Sequence, residues 1–153
     1  MGEQKLHGRR VLIVEDEYLL ADDLSLVLGD AGAHVLGPVA SVEDGMTLIG
    51  NTPSIDAAVL DVNLCGDMVF PVADELRSRG IPFAFATGYD EWAFPERFAG
   101  VPRVEKPFKG YMVEAVLGAL IEDRSPLSAA ADLAQFIGAL APSLQANSDG
   151  QSG

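Results

Sequence analysis

Five short apolar runs, each followed by an amphipathic or irregular segment, constrain the fold of this chain most: RVLIVED, HVLGPVA, DAAVLDV, IPFAFATG and VPRVEKP. Runs of this kind, rich in β-branched residues, are typical of strands that are buried on both faces. The intervening segments carry apolar residues at helical spacing, and Ser41 is placed to cap one of these helices. We therefore expect an α/β fold: a doubly wound, five-stranded parallel sheet with helices on both faces.

Polar residues follow four of these runs and would meet at one edge of the sheet, where the carboxyl ends of parallel strands bind ligands. Glu15 and Asp16 follow the first run, and Asp61 ends the apolar part of the third. Thr87 ends the fourth run and Lys106 follows the fifth. Three ionised carboxylates at one edge would repel one another strongly. A hard divalent cation would relieve this repulsion, and the oxygen-only donor set favours Mg²⁺.

The same residues could perform chemistry on a phosphoryl group. A carboxylate beside Mg²⁺ can attack phosphorus and form an aspartyl-phosphate. The transition state spreads charge over oxygen atoms that need cations and donors already in place, and Lys106 and Thr87 are suitable. We assign the nucleophile to Asp61, because the adjacent acids Glu15 and Asp16 suit metal binding.

Four motifs, VLIVEDE, VLDVNL, FATG and EKPF, together resemble the receiver domain of bacterial two-component response regulators, over roughly residues 10 to 124. The stretch PFAFATGY is similar, more narrowly, to the FAT-GUY receivers of alphaproteobacteria, typically stand-alone regulators associated with kinases of the HWE or related type. The resemblance implies a flavodoxin-like fold and a single-domain response regulator that catalyses only its own phosphorylation and dephosphorylation. Its partner would be a histidine kinase or a phosphotransfer protein. It would signal through protein–protein contacts or act as a phosphate sink.

The resemblance also implies a role for each site residue. Asp61 would take the phosphoryl group from a phosphohistidine, and Thr87 and Lys106 would contact the phosphate. The bond between Lys106 and Pro107 would be a cis peptide. The implied Mg²⁺ ligands all offer oxygen and are Asp16, Asp61, the backbone carbonyl of Asn63, and Glu15 through water.

Two positions depart from the receiver pattern. Cys65 stands four residues after the phosphorylated aspartate, where most receivers have proline, and the loop that follows is shortened. Arg103 stands three residues before the lysine, where receivers usually have a Tyr or Phe switch. Aromatic residues instead follow the fourth run. We expect residues 88–100 to form a mobile, partly irregular fourth helix that carries the signal, with Tyr89 and Trp92 in it.

Haloacid-dehalogenase-type phosphatases are the alternative from a different class, since they also use a strand-end Asp, a Thr or Ser, and a Lys with Mg²⁺. They need a second Asp two residues after the nucleophile as a general acid. That position here is Asn63, whose amide cannot protonate a leaving group. A P-loop NTPase is excluded, because no glycine-rich phosphate loop follows the first run. A degenerate receiver that only binds partners is disfavoured, because every group needed for the chemistry is present.

Charge and composition limit the binding partners and the cellular location that the chain can have. The net charge of −13 argues against nucleic-acid or anionic-membrane binding. No apolar run is long enough to cross a bilayer, the amino terminus lacks the core of a signal peptide, and one cysteine cannot form an internal disulfide. These features predict a cytoplasmic protein. We expect a monomer or weak dimer. After the receiver domain, residues 125–141 are expected to form an extra amphipathic helix and residues 142–153 a disordered tail.

Overall fold

The computed structural model describes residues 6–88 and 94–122. Within these ranges the strands are β1 (Arg10–Val14), β2 (His34–Val39), β3 (Ala57–Asp61), β4 (Asn63–Leu64), β5 (Asp67–Met68), β6 (Phe83–Thr87) and β7 (Arg103–Glu105). The helices are α1 (Tyr18–Asp30), α2 (Val42–Asn51), α3 (Phe70–Ser78) and α4 (Gly110–Glu122), with a 3₁₀ turn at Glu96–Phe98. The helix predicted over 125–141, the tail over 142–153, and Tyr89 and Trp92 lie outside the described residues.

Five of the strands form one parallel sheet in the order β2-β1-β3-β6-β7. The strand register pairs Val14 of β1 with Leu60 of β3, and Asp61 of β3 with Ala86 of β6. The carboxyl ends of the three central strands are therefore level with one another. This arrangement confirms the predicted five-stranded, parallel α/β fold.

Helices cover both faces of the sheet, as a doubly wound fold requires. Adjacent residues of β3 point to opposite faces: Val59 lies in a hydrophobic cluster with Leu24 of α1, and Leu60 in a second cluster with Leu76 of α3. The first cluster also includes the buried face of α4, and the second includes that of α2. All five residues of β3 are buried, which explains why its sequence shows no polar alternation before the final aspartate.

The edge strand β2 is irregular at Gly37, where φ is +92°. A side chain at this position would be strained, and a Cβ atom would lie 2.9 Å from the carbonyl oxygen of Ile13. The peptide bond from Gly37 to Pro38 is cis, and the β1–β2 register shifts between Leu12 and Val14. Glycine is therefore required here by both backbone conformation and close packing.

Helix α2 begins after Ser41, as the sequence predicted. The backbone N–H of Asp44 donates a hydrogen bond to Ser41 Oγ at 3.0 Å, which satisfies one of the free donors at the helix N-terminus. Glu43 and Asp44 add negative charge to the first turn, where the helix dipole favours it.

Two short local elements follow β3 and β6, a hairpin and a 3₁₀ turn. Directly after β3, strands β4 and β5 form an antiparallel hairpin, where only a shortened loop was expected. In the described part of residues 88–100, the chain forms a single 3₁₀ turn at Glu96–Phe98. Pro95 precedes that turn in an extended conformation, which ends any regular helix arriving from the N-terminal side.

None of the helices in the described ranges is long and apolar enough to cross a membrane.

Candidate functional site: an acidic cluster with a lysine

Three carboxylates meet at the carboxyl edge of the sheet. Asp61 is the last residue of β3, and Glu15 and Asp16 follow β1 directly. One oxygen atom from each side chain lies within 4.8 Å of the others. Asp61 and Glu15 are buried, with exposed fractions of 5% and 3%, whereas Asp16 is half-buried. The parallel pairing of β1 with β3 brings these residues together, as the sequence predicted.

Lys106 supplies positive charge to this cluster. Its ammonium nitrogen lies 3.4 Å from Glu15 Oε2, 3.5 Å from Asp61 Oδ2 and 3.6 Å from Glu17 Oε1. The peptide bond from Lys106 to Pro107 is cis, as the resemblance implied. The ammonium group of Lys106 therefore pairs with three acids, of which Asp61 is one.

Thr87 completes the edge next to Asp61. It is the last residue of β6, it is 2% exposed, and its carbonyl oxygen accepts a hydrogen bond from the Lys106 backbone N–H at 2.7 Å. The end of β6 thus fixes the backbone from which the Lys106 side chain extends.

Asn63, two residues after Asp61, is the first residue of the β4–β5 hairpin. The Val69 N–H donates to the Val62 carbonyl at 2.9 Å, and Asn63 is paired with Met68. In an antiparallel ladder this register makes Asn63 a non-hydrogen-bonded residue, whose carbonyl points away from the neighbouring strand. Its side-chain oxygen accepts the Gly66 N–H at 2.7 Å and so stabilises the turn.

Burial next to another acid raises the pKa of Asp61 to about 8. Burial is the main cause, because it disfavours the charged carboxylate, and the negative charge of Glu15 adds to it. The Lys106 ammonium acts in the opposite direction but does not compensate. In the absence of a cation, Asp61 therefore holds a proton at neutral pH.

The pKa values of Lys106 and Asp16 shift in the directions that favour their charged forms. Burial alone would lower the pKa of Lys106, but Asp61, Glu15 and Glu17 together raise it. Partial burial of Asp16 works against ionisation, yet hydrogen bonds with Cys65 and Asp61 lower its pKa. The site thus contains a permanent ammonium ion, an ionised Asp16 and a protonated nucleophile candidate.

Two further residues contact the site, Glu17 from the same strand end as Glu15 and Asp16, and Cys65 from the hairpin. Glu17 lies within ion-pair distance of Lys106, and its backbone N–H donates to Glu15 Oε2 at 3.0 Å. The Cys65 thiol donates a hydrogen bond to Asp16 Oδ2 at 3.0 Å. This bond and the negative charge of Asp16 raise the pKa of Cys65, which favours the protonated thiol. No sequence pattern signals the Cys65 contact, because it depends on the hairpin.

Arg103, which stands where receivers usually have an aromatic residue, contacts the segment that follows β6. Its guanidinium carbon lies 4.1 Å from the centre of the Phe94 ring. Phe94 in turn packs against Phe85 at 5.0 Å and Phe70 at 5.9 Å between ring centres. A cation–π contact of this kind contributes ~0.5–2 kcal/mol. The contact connects β7 to the residues just before the 3₁₀ turn.

Comparison with known proteins gives relatives among solved structures, although no family model and no curated protein matched the chain. SdrG from Sphingomonas melonis Fr1 is 38% identical, with 72% of this chain and 96% of SdrG covered and a TM-score of 0.62. A response regulator receiver protein from Sinorhizobium medicae WSM419 is 23% identical, with coverages of 78% and 99% and a TM-score of 0.67. A third structure is the receiver domain of the sensor histidine kinase PA1611 from Pseudomonas aeruginosa PAO1, which is 22% identical, with coverages of 75% and 98% and a TM-score of 0.62. That structure has a magnesium ion coordinated in the active-site cleft.

The fold and the acidic edge define a receiver-type α/β domain, and the identity to SdrG extends over nearly all of that relative. The chain belongs to the receiver domains of response regulators.

Proposed function

We propose that this receiver accepts a phosphoryl group onto Asp61 from a histidine kinase or a phosphotransfer protein, in a reaction that requires Mg²⁺. The observation that carries the proposal is the position of the Lys106 ammonium, 3.5 Å from a buried aspartate that lies within 4.8 Å of two further acids. Phosphoryl transfer needs both a nucleophile and fixed positive charge, and this edge of the sheet places a buried carboxyl beside a half-buried lysine.

Each residue has a distinct part in the proposed reaction. An oxygen of ionised Asp61 attacks the phosphorus atom of a phosphohistidine. The oxygen–phosphorus bond forms as the phosphorus–nitrogen bond breaks, and the histidine nitrogen keeps the electron pair. Lys106 and the Thr87 hydroxyl neutralise and bind the phosphoryl oxygens as their charge develops.

The residues present fit a divalent cation. Oε1 of Glu15 is buried and has no hydrogen-bond partner among the described residues, and such an atom is costly unless it gains a partner. Asp16, Asp61 and the Asn63 carbonyl would bind the ion directly, with Glu15 reaching it through water. Bound Mg²⁺ would keep Asp61 ionised and neutralise the oxygens of the transferring phosphoryl group. The magnesium in the PA1611 receiver supports this assignment.

Asn63 argues against the phosphatase alternative. A haloacid-dehalogenase-type enzyme needs an acid at this position to protonate the leaving group. The Asn63 side-chain oxygen instead accepts the Gly66 N–H, so the side chain has a structural role in the hairpin.

The surface next to the acids suits a protein donor. Tyr18 and Leu19, at the start of α1, are each 81% exposed. A cleft of about 260 Å³ lies beside them, and Glu15, Asp16 and Pro38 are among the residues that line it. We propose that the histidine-bearing partner packs on these apolar side chains, which would bring its phosphohistidine to Asp61.

Phosphotransfer from a labelled donor tests the proposed function. The full chain is incubated with candidate histidine kinases and radiolabelled ATP, with Mg²⁺ or with EDTA. We expect Mg²⁺-dependent label that is stable in acid and labile in base, as an acyl phosphate is. Steady hydrolysis of unrelated phosphate esters without label on the protein would instead support the phosphatase.

The affinity for Mg²⁺ is expected to depend on pH. Because the pKa of Asp61 is about 8, the ion must displace a proton at lower pH. The association constant should fall by up to about tenfold for each pH unit below 8 and level off above it. Calorimetric titration between pH 6 and 9 measures this, and Asp61→Asn is the control that removes the dependence. An affinity that is constant between pH 6 and 8 would contradict the role of Asp61.

Trp92 is expected to report the phosphorylated state. It is the only tryptophan in the chain. Phosphate on Asp61 would attract the Thr87 hydroxyl and shift the populations of the segment that follows. Adding beryllofluoride, a phosphoryl mimic, together with Mg²⁺ should change the Trp92 fluorescence. The Asp61→Asn variant should not respond, and identical wild-type spectra at saturation would leave residues 88–100 without a signalling role.

A further inference from the structure

Glu17 is held beside Lys106 by its own backbone. It follows Glu15 and Asp16 directly, and its backbone N–H donates a hydrogen bond to Glu15 Oε2 at 3.0 Å. Its carbonyl oxygen accepts the first hydrogen bond of α1, from the N–H of Ala21 at 2.9 Å. Because both backbone groups are engaged, the side chain extends from a fixed point, and its Oε1 lies 3.6 Å from the Lys106 ammonium nitrogen.

The side chain of Glu17 does not cap helix α1, although Glu17 occupies the N-cap position. Ser, Thr, Asp and Asn favour this position, because their short side chains reach a free backbone N–H. The Glu17 side chain makes no such hydrogen bond, and its carboxylate pairs with Lys106 instead. Capping therefore does not account for a glutamate here, whereas a role at Lys106 does.

The three acids around Lys106 differ in how freely they can move. The side chains of Glu15 and Asp61 are 1% and 7% exposed, so the surrounding residues hold them in place. The Glu17 side chain is 64% exposed, and its carboxylate can leave Lys106 for water at little cost. An ammonium group has three N–H donors. With three acids around it, a phosphoryl oxygen that binds Lys106 must replace one of them, and Glu17 is the one that can leave.

We propose that Glu17 is the counter-ion that a phosphoryl group displaces from Lys106, and that its charge selects against small, strongly anionic phosphoryl donors. The inference rests on the proposed phosphorylation of Asp61 and names the class of donor that the site disfavours. The Glu17 side chain is 64% exposed and that of Lys106 18%, so a donor that arrives from solvent meets the carboxylate first. The repulsion grows with the negative charge of the donor.

A protein donor can offset this repulsion, whereas a small molecule cannot. Tyr18 and Leu19, the next two residues along the chain, are each 81% exposed and offer apolar surface to a partner. Burial of these side chains would supply binding energy for the displacement of Glu17 from Lys106. A small donor gains no such energy. Glu17 therefore favours transfer from a protein-borne phosphohistidine.

Two small donors of different charge test this selection. The full chain is incubated in saturating Mg²⁺ with acetyl phosphate, a dianion, or with the less negative phosphoramidate, and intact mass spectrometry follows the phosphorylated fraction. With acetyl phosphate, acetate leaves as Asp61 gains the phosphoryl group. We expect Glu17→Gln to raise the rate with acetyl phosphate by about three- to tenfold, and the rate with phosphoramidate by less.

The affinity for beryllofluoride gives a second measurement, which does not depend on turnover. Calorimetry in saturating Mg²⁺ should show that Glu17→Gln binds this phosphoryl mimic about threefold more tightly or better, because no carboxylate has to leave Lys106. Asp23→Asn is the matched control, since it removes one negative charge from the exposed face of α1. It should leave both rates and the affinity within about twofold of the wild type.

The outcomes separate this inference from the proposed function. Equal donor rates and equal beryllofluoride affinity in the wild type and Glu17→Gln, with Asp61 still phosphorylated by a kinase, would overturn the role of Glu17 alone. An equal gain in Asp23→Asn would assign the effect to net charge and would overturn that role as well. Failure of every donor to phosphorylate Asp61, together with no beryllofluoride binding, would overturn the proposed function itself.

Discussion

Replacement of Asp61 by asparagine is expected to abolish phosphoryl acceptance and, at the same time, to raise the stability of the metal-free protein. Phosphorylation should be lost because the amide cannot act as the nucleophile. Stability should rise because Asp61 must hold in the folded chain, beside Glu15, a proton that it releases in the unfolded chain, and an amide avoids this cost. Lys106 keeps Glu15 and Glu17 as partners.

The gain in stability should depend on pH. Asp61 has a pKa of about 8 in the folded chain, against an ordinary value of 3.8. Its favourable contribution is present at low pH and is lost as the pH rises through this interval, because the unfolded chain releases its proton first. Asparagine does not titrate, so the advantage of Asp61→Asn should grow between about pH 4 and pH 8.

Melting temperatures in EDTA, together with labelling in Mg²⁺, measure both effects. Asp23→Asn is the matched control: Asp23 is an exposed acid of α1 outside the cluster. We expect it to change the free energy of unfolding by less than about 0.5 kcal/mol and to keep phosphorylation. Undiminished labelling of Asp61→Asn would contradict the assignment of the nucleophile. A lower melting temperature for this variant in EDTA would contradict the raised pKa of Asp61.

Phe85→Ala is expected to destabilise the domain more than any substitution at the site. Phe85 is fully buried in β6, and its ring lies 5.0 to 6.0 Å from four other phenylalanine rings. Truncating a buried phenylalanine costs about 3–5 kcal/mol, from lost burial and the remaining cavity. Because Thr87 lies two residues further along the same strand, loss of the Phe85 ring should also make the position of Thr87 less well fixed.

Urea denaturation measures this loss, and Tyr111→Ala is the control, because Tyr111 is a large ring that is 66% exposed. The control should change the free energy of unfolding by less than about 0.5 kcal/mol. A loss below about 1 kcal/mol for Phe85→Ala would indicate that the aromatic cluster is not the core of this face.

The sheet and the acidic cluster could be predicted because their signals are local and strong. Each apolar run is long enough to specify a buried strand, and the parallel topology then brings the strand ends together. Glu15, Asp61 and Lys106 are far apart in sequence, yet each directly follows or ends a strand. Position relative to a strand was therefore sufficient to expect their contact.

The β4–β5 hairpin and the contacts that depend on it could not be predicted, because their sequence signals are weak. Strands of two residues, such as β4 and β5, are too short to show a periodic pattern. The contact of Cys65 with Asp16 and that of Glu17 with Lys106 depend on backbone conformations that no periodicity encodes. Similarly, Arg103 was recognised as a departure, but its packing on Phe94 arises only from the tertiary fold.

The most direct test of the central claim is the chemical identification of the phosphorylated residue. Borohydride reduces an aspartyl acyl phosphate to an alcohol, so a phosphorylated aspartate becomes homoserine, and peptide mass spectrometry then locates it. After phosphotransfer in Mg²⁺, we expect homoserine at position 61 alone, and none after transfer in EDTA. Conversion of another acid, such as Asp16, or label on the protein without any homoserine, would contradict the assignment of Asp61 as the phosphoacceptor.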